Sequence, residues 1–168
     1  MIQLYEKNNT NYEYNGDHTL HPISCELALG INDVWQLTLI NPIDENALYI
    51  VENAVISVNT PYGKRQRFII ESVEKSNDNI VATAIPIFLA NDVYYLDKRI
   101  VNKNGQEALE IMLEGTGYTG HSDIPGLGTV YFQEMNLNAA INGDYDNTFL
   151  NRWGGECLYV NENIYINQ

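Results

Sequence analysis

Apolar and polar residues alternate along most of the first half of the chain. Ile2 to Lys7 alternate as a first strand, and Asn8-Asn9-Thr10-Asn11 is a turn. Tyr12-Glu13-Tyr14 reads as a short strand running into a tight turn at Asn15-Gly16. Ile23, Cys25, Leu27 and Leu29 then share one face, with Ser24, Glu26 and Ala28 on the other. Gly30-Ile31-Asn32-Asp33 turns the chain. Trp35, Leu37 and Leu39 alternate with Gln36 and Thr38, which predicts a two-strand unit with one buried face. Asn41-Pro42 is expected to break that strand. Asp44 to Glu52 reads as a connection with a small apolar patch at Leu48 to Val51, and Ala54 to Val58 as another strand. Thr60-Pro61-Tyr62-Gly63 has turn chemistry. Gln66 to Val73 and Ile80 to Ile85 are strands joined by the polar turn Ser76-Asn77-Asp78-Asn79. Short strands with turn signals at this spacing predict an all-β barrel or sandwich over residues 1–86.

The pattern then changes. Residues 87–103 read as a crossing between two domains, extended at Tyr94, Tyr95 and Leu96 and bent at Asn91 and Asp92. Asn104-Gly105-Gln106-Glu107 has capping-box spacing, a side-chain acceptor followed three residues later by a carboxylate. Ala108, Leu109, Met112 and Leu113 follow on one helical face, and Gly115 ends the helix. A loop rich in Gly and Pro spans 117–128, and Val130-Tyr131-Phe132 is a short strand. Over 136–153, Ile141, Tyr145 and Phe149 recur every four residues, with Ala140 and Trp153 beside them. They predict one amphipathic helix, capped by Asn136 or Asn138 and weakened by Gly143 and Asp144. Gly154-Gly155 stops it, and a hairpin of Glu156 to Val160 and Ile164 to Ile166 folds around Asn161-Glu162-Asn163. Residues 104–168 are thus expected to form a partial α+β domain of two helices and a hairpin. So few elements give a thin core, as in a domain cut short.

Charge narrows the partners. The 168 residues carry 22 Asp and Glu against 9 Lys and Arg, a net charge of −13, and 45% are hydrophobic. That balance opposes binding to phosphate backbones and to anionic membrane surfaces. It suits solubility, or a channel that DNA crosses without sticking. Cys25 and Cys157 are too few for a disulfide framework and read as free thiols. The start of the chain has no apolar segment of secretory-signal length, and no run approaches a membrane span, so synthesis and folding in a cytoplasm are expected.

Few residues suggest chemistry. Asp17, His18 and His21 have metal-binding side chains, but they lie between a turn and Pro22, where exposed loop histidines are the ordinary outcome. His121-Ser122-Asp123 contains the residue types of a hydrolytic triad, though sequence neighbours rarely meet in that geometry. The glycines at 115, 117, 126 and 128 lack phosphate-loop spacing and fit turn geometry. Lys64, Arg65 and Arg67 are the only basic cluster, expected as a solvated hairpin tip or, alternatively, a contact for an acidic partner. The 12 Tyr and 2 Trp allow sugar stacking on a sheet face, but Trp35 and Trp153 sit on stripes that read as core. No catalytic, cofactor-binding or metal residue is assigned, and no cofactor is expected.

Four stretches considered together carry a family resemblance: residues 15–42, 66–84, 106–118 and 151–167. The last, NRWGGECLYVNENIYIN, is the most characteristic. With them the chain resembles the amino-terminal part of phage minor structural proteins, also called prophage endopeptidase tail or tail-associated lysin proteins. The resemblance implies a baseplate-hub-like fold in which three subunits form a ring that closes the tail tube at the virion tail tip. The implied partners are further copies of the chain, the distal tail protein and other tail-tip proteins, with DNA passing the lumen. Assembly would take place in the bacterial host cytoplasm. Lytic activity in that family generally lies in a carboxy-terminal portion beyond the reach of these residues, so no catalytic residue is carried over. The alternatives are a cell-wall carbohydrate-binding β module and a wall hydrolase using a carboxylate pair.

Overall fold

The computed structural model describes residues 1–33, 35–90 and 93–168. The chain divides into two compact units, Met1–Ile87 and Phe88–Gln168.

The first unit holds β1 (Ile2–Tyr5), β2 (His18–Leu20), β3 (Ser24–Ala28), β4 (Gln36–Pro42), β5 (Val55–Val58), β6 (Gln66–Lys75) and β7 (Asn79–Pro86). They form one antiparallel sheet in the order β2-β1-β5-β6-β7-β4-β3. Laid flat, seven strands would hold the edge strands β2 and β3 roughly 29 Å apart. Only His21-Pro22-Ile23 joins those two edges, and such a link spans at most about 14 Å. The sheet must therefore curl, and it forms a half-barrel around a core drawn from every strand. Leu4, Ile56 and Phe68 pair in one row, and Leu37 pairs with Ala84 in another. All five, with Leu20, Leu39, Ile50 and Ile70, are no more than 2% exposed.

Several expectations need correction here. Tyr12-Glu13-Tyr14 is not a strand. Residues 6–17 form a loop held by side chains, with Asn11 Oδ1 accepting from Glu13 N at 3.0 Å and the Tyr5 hydroxyl donating to Tyr14 O at 2.7 Å. β4 runs through Asn41 and Pro42, which pair with Ile80 and Asn79. As the last residue of a strand, a proline forfeits one terminal donor only. Ile23 and Leu29 are 64% and 40% exposed, because they flank β3 at the sheet edge where no further strand covers them.

In the second unit, β8 (Tyr95–Lys103) and β10 (Gly128–Asn136) form an antiparallel ribbon. Between them in sequence lie α1 (Gly105–Leu113) and β9 (Thr119–Ser122). α2 (Leu137–Asn142), α3 (Phe149–Trp153), β11 (Glu156–Val160) and β12 (Asn163–Asn167) follow. β11 and β12 make the expected hairpin, and β9 pairs parallel to β12, giving a sheet ordered β11-β12-β9. The ribbon carries two bulges. Each places a non-glycine residue in the left-handed region, Asn102 at φ 53° on β8 and Glu134 at φ 46° on β10. The capping box forms as expected: Asn104 Oδ1 accepts from Glu107 N at 2.9 Å, and Glu107 Oε2 accepts from Asn104 N at 3.2 Å.

Residues 95–103 are thus a paired strand rather than a crossing segment, and the expected bend at Asn91 and Asp92 lies outside the described residues. The single helix expected over 136–153 is two. Gly143 is extended (φ −87°, ψ 172°), and its N–H closes α2 on Ala139 O at 2.8 Å. Thr148 Oγ1 then accepts from Asn151 N at 3.2 Å and caps α3. Ile141 and Phe149 are buried, but Tyr145 falls in the break and is 55% exposed. Among the described residues the unit therefore has three helices, a ribbon and a three-stranded sheet, more than two helices and a hairpin.

Candidate functional site

The structure separates most of the residues that the sequence groups together. His18 Nε2 lies 3.0 Å from Glu6 Oε1, and its ring stacks on Tyr49 at 3.8 Å. Asp17 Oδ2 instead accepts from Glu6 N at 2.9 Å, and His21 is exposed. No three His, Cys, Asp or Glu side chains come together to hold a metal among the described residues.

His121, Ser122 and Asp123 likewise serve three different partners. His121 stacks on Tyr165 with centroids 4.6 Å apart, and its Nε2 lies 3.2 Å from Asn163 Oδ1. Ser122 Oγ accepts from Ile124 N at 3.3 Å, and Asp123 Oδ1 accepts from Gln168 N at 2.9 Å. Successive side chains on β9 point to opposite faces, so neighbours there cannot form a relay.

A cleft of about 380 Å³ lies between α1 and β9, lined by Gln106, Glu110, Leu113, Glu114, Tyr118 and His121 among others. Several of its polar groups are already partnered. Gln106 Nε2 donates to Glu110 Oε1 at 2.8 Å and to Gly120 O at 3.1 Å, while Gln106 Oε1 accepts from Ser122 N at 2.8 Å. Lys98 Nζ donates to Glu114 Oε2 at 3.3 Å. A smaller cleft of about 230 Å³ opens in the first unit between Met1, Ile2 and Val58 on one side and Cys25 and Leu27 on the other. Its walls are largely apolar.

The basic cluster departs most from expectation. Lys64 is exposed as a hairpin tip should be. The Arg65 guanidinium, however, donates to Tyr5 Oη at 2.8 Å, Tyr12 O at 3.2 Å, Glu13 O at 3.3 Å and Tyr14 O. Arg67 lies over the Tyr12 ring, 4.5 Å from its centroid. These arginines pin the 6–17 loop to the β5–β6 turn. No local motif announces this, because the acceptors are main-chain carbonyls more than fifty positions away.

Trp35 and Trp153 are buried, as their stripes suggest. Trp153 Nε1 donates to Lys103 O at 2.8 Å, and a Cβ on Gly128 would sit 2.4 Å from its ring, so only glycine lets β10 pass there. Tyr95 and Tyr131 are 68% and 52% exposed on the outer face of the ribbon, where Tyr131 Oη bonds Asp97 Oδ1 at 3.3 Å. Both cysteines are free. Burial pushes the Cys157 thiol up to about 12 and also raises the neighbouring Tyr159 phenol, and the thiol of the half-buried Cys25 is raised for the same reason. These groups stay protonated and unreactive at neutral pH. No helix among the described residues is long and apolar enough to cross a membrane.

No protein-family model and no curated protein sequence matches the chain. Its fold does match solved structures: this mostly-β architecture, with a curled sheet and a small α+β part, occurs in a phage tail protein. That structure is prophage tail protein gp18 from Listeria monocytogenes EGD-e, with a TM-score of 0.67 and 14% identity over 99% of this chain. The match covers 50% of the Listeria chain, so the present chain spans about half its length. At that identity the likeness is one of fold.

Proposed function

We propose that this chain is a structural part of a phage or prophage tail, placed at the tail tip as the amino-terminal hub region of a minor structural protein. The observation that carries this reading is the fold shared with a prophage tail protein across 99% of the chain. The resemblance of residues 15–42 and 151–167 to tail-associated proteins supports the same reading. In it, residues 1–168 form scaffold, and any lytic activity belongs to a further carboxy-terminal portion. Three copies close a ring under the distal tail protein, and the net charge of −13 lets DNA cross the lumen without binding. The test is electron microscopy of gold-labelled particles carrying an epitope-tagged copy of the complete protein. Gold at the tail tip is the expected outcome. Gold along the tube, or particles without label, would overturn the tip assignment.

A cell-wall carbohydrate-binding module is the second reading, favoured by the exposed Tyr95 and Tyr131 on one ribbon face. A flat calorimetric titration with purified wall polysaccharide removes it.

A further inference from the structure

Three Asn–Gly dipeptides occur in the chain: Asn15-Gly16, Asn104-Gly105 and Asn142-Gly143. This linkage is the one most prone to spontaneous deamidation, because glycine has no side chain to hinder attack by its own backbone nitrogen. The reaction needs an asparagine side chain free to swing over that nitrogen, and a nitrogen free to lose its proton.

Two of the three sites are locked. Asn104 is the N-cap of α1, its Oδ1 held by Glu107 N at 2.9 Å, while Gly105 N donates to Ile124 O at 3.0 Å. Gly143 N donates to Ala139 O at 2.8 Å, and Asn142 is held in helical conformation at the end of α2. The third is open. Asn15 is exposed, and neither Asn15 nor Gly16 makes a hydrogen bond among the described residues. Packing explains why a glycine stands at 16: a Cβ there would lie 2.7 Å from Leu4 O and 2.9 Å from Gln3 Cβ. The close approach to β1 thus accounts for the glycine that follows the exposed Asn15.

We infer that Asn15 is a spontaneous modification site that converts to aspartate and isoaspartate while Asn104 and Asn142 are protected by the fold. The Gly16 nitrogen gives up its proton to solvent base, and its electron pair forms a bond to Asn15 Cγ. The Cγ–Nδ2 bond breaks, and ammonia leaves with that electron pair and a proton. Water then opens the five-membered imide. Cleavage of the bond from nitrogen to Cγ gives aspartate, and cleavage of the bond from nitrogen to the main-chain carbonyl carbon gives isoaspartate. No electrons are exchanged with any other reagent.

Either product adds a carboxylate beside Asp17, whose own carboxylate holds Glu6 N at 2.9 Å. Isoaspartate also routes the backbone through Cβ, which lengthens the chain between two anchors, Tyr14 O on Arg65 and Asp17 Oδ2 on Glu6 N. The 6–17 loop then no longer fits both.

The test is incubation of the folded chain at mildly alkaline pH, followed by peptide mass spectrometry and detection of isoaspartate with isoaspartyl methyltransferase. Asn15 should gain the mass difference between an amide and a hydroxyl at least roughly ten-fold faster than the other two sites, the ratio that loss of one restraint produces. In concentrated urea the three rates should converge. Conversion of Asn104 or Asn142 as fast as Asn15 in the folded chain would overturn the inference. So would an unchanged Asn15 in the folded chain that converts in urea. Asn15→Gln should abolish the early isoaspartate signal, because the longer side chain cyclises far more slowly, and an undiminished signal would likewise count against it.

Discussion

Arg65 shows how much one side chain can organise. Its planar fork reaches three carbonyls and one hydroxyl from a residue that itself sits at φ 52°, a backbone conformation disfavoured for arginine. Arg65→Ala should cost about 1–2 kcal/mol in chemical denaturation, in line with lost hydrogen bonds to a charged group at a solvent-accessible position. Arg65→Lys should recover little of that, because an ammonium cannot reproduce the fork. Full recovery by lysine would mean that charge alone matters. A solvated tip was the natural reading of Lys64, Arg65 and Arg67, since nothing in their own neighbourhood reveals carbonyl partners so far upstream. The cysteines behave as the sequence suggests, and burial gives Cys157 a pH signature. Its folded pKa is raised to about 12 from an ordinary value of 9.0, so deprotonation favours the unfolded chain. The stability from this group is complete below about pH 9 and is lost as pH rises toward 12. Cys157→Ala should cost about 1 kcal/mol at neutral pH and flatten the alkaline fall in melting temperature. An unchanged alkaline limb would show that the thiol does not contribute.

Among elements, strands with strict alternation were legible and interrupted ones were not. Trp35, Leu37 and Leu39 announce β4, because every second residue faces one core. β9 is invisible by that test: Thr119, Gly120, His121 and Ser122 hold no apolar alternation, and the strand exists because β12 offers a parallel edge. The α2–α3 break misleads for a different reason. Ile141 and Phe149 are both buried and eight positions apart, so a four-residue spacing through Tyr145 survives an interruption of the backbone. Gly143 and Asp144 carried the true signal, as residues that weaken a helix interior. The distinction can be measured. Phe149→Ala should cost about 3–5 kcal/mol as a truncation in a closed core, whereas Tyr145→Ala should stay within about 0.5 kcal/mol. Equal costs would restore the continuous helix.

At the scale of the molecule, the mostly-β class was readable from strand spacing. The barrel or sandwich expected over residues 1–86 agrees with the curled first sheet, but its strand order was not readable, because it depends on which strands become its edges. Once β2 and β3 hold those positions, the three residues between them leave no flat alternative. The second unit reads as thin from its sequence because β8 and β9 are hidden there, and with them the ribbon and the third strand of the small sheet. The functional candidates show the same limit. Residue types that suggest a metal site or a triad are common in a chain with 22 acidic residues, and only distances tell them apart from ordinary partners.

The Gln106 side chain has a consequence beyond the cleft it lines. Its carboxamide donates to Gly120 O and accepts from Ser122 N, two of the outward groups of β9 that another strand would engage. An edge with those groups free is a template for pairing with another strand. One amide, shaped like a peptide unit but unable to propagate, occupies these groups on the β9 edge, while β11 forms the other edge of the sheet. Gln106→Ala should leave the fold intact within about 1 kcal/mol and yet raise concentration-dependent, thioflavin-positive self-association. A variant that remains dispersed at every concentration would place the stop elsewhere along β9. If the association appears, a single side chain blocks strand pairing along the β9 edge.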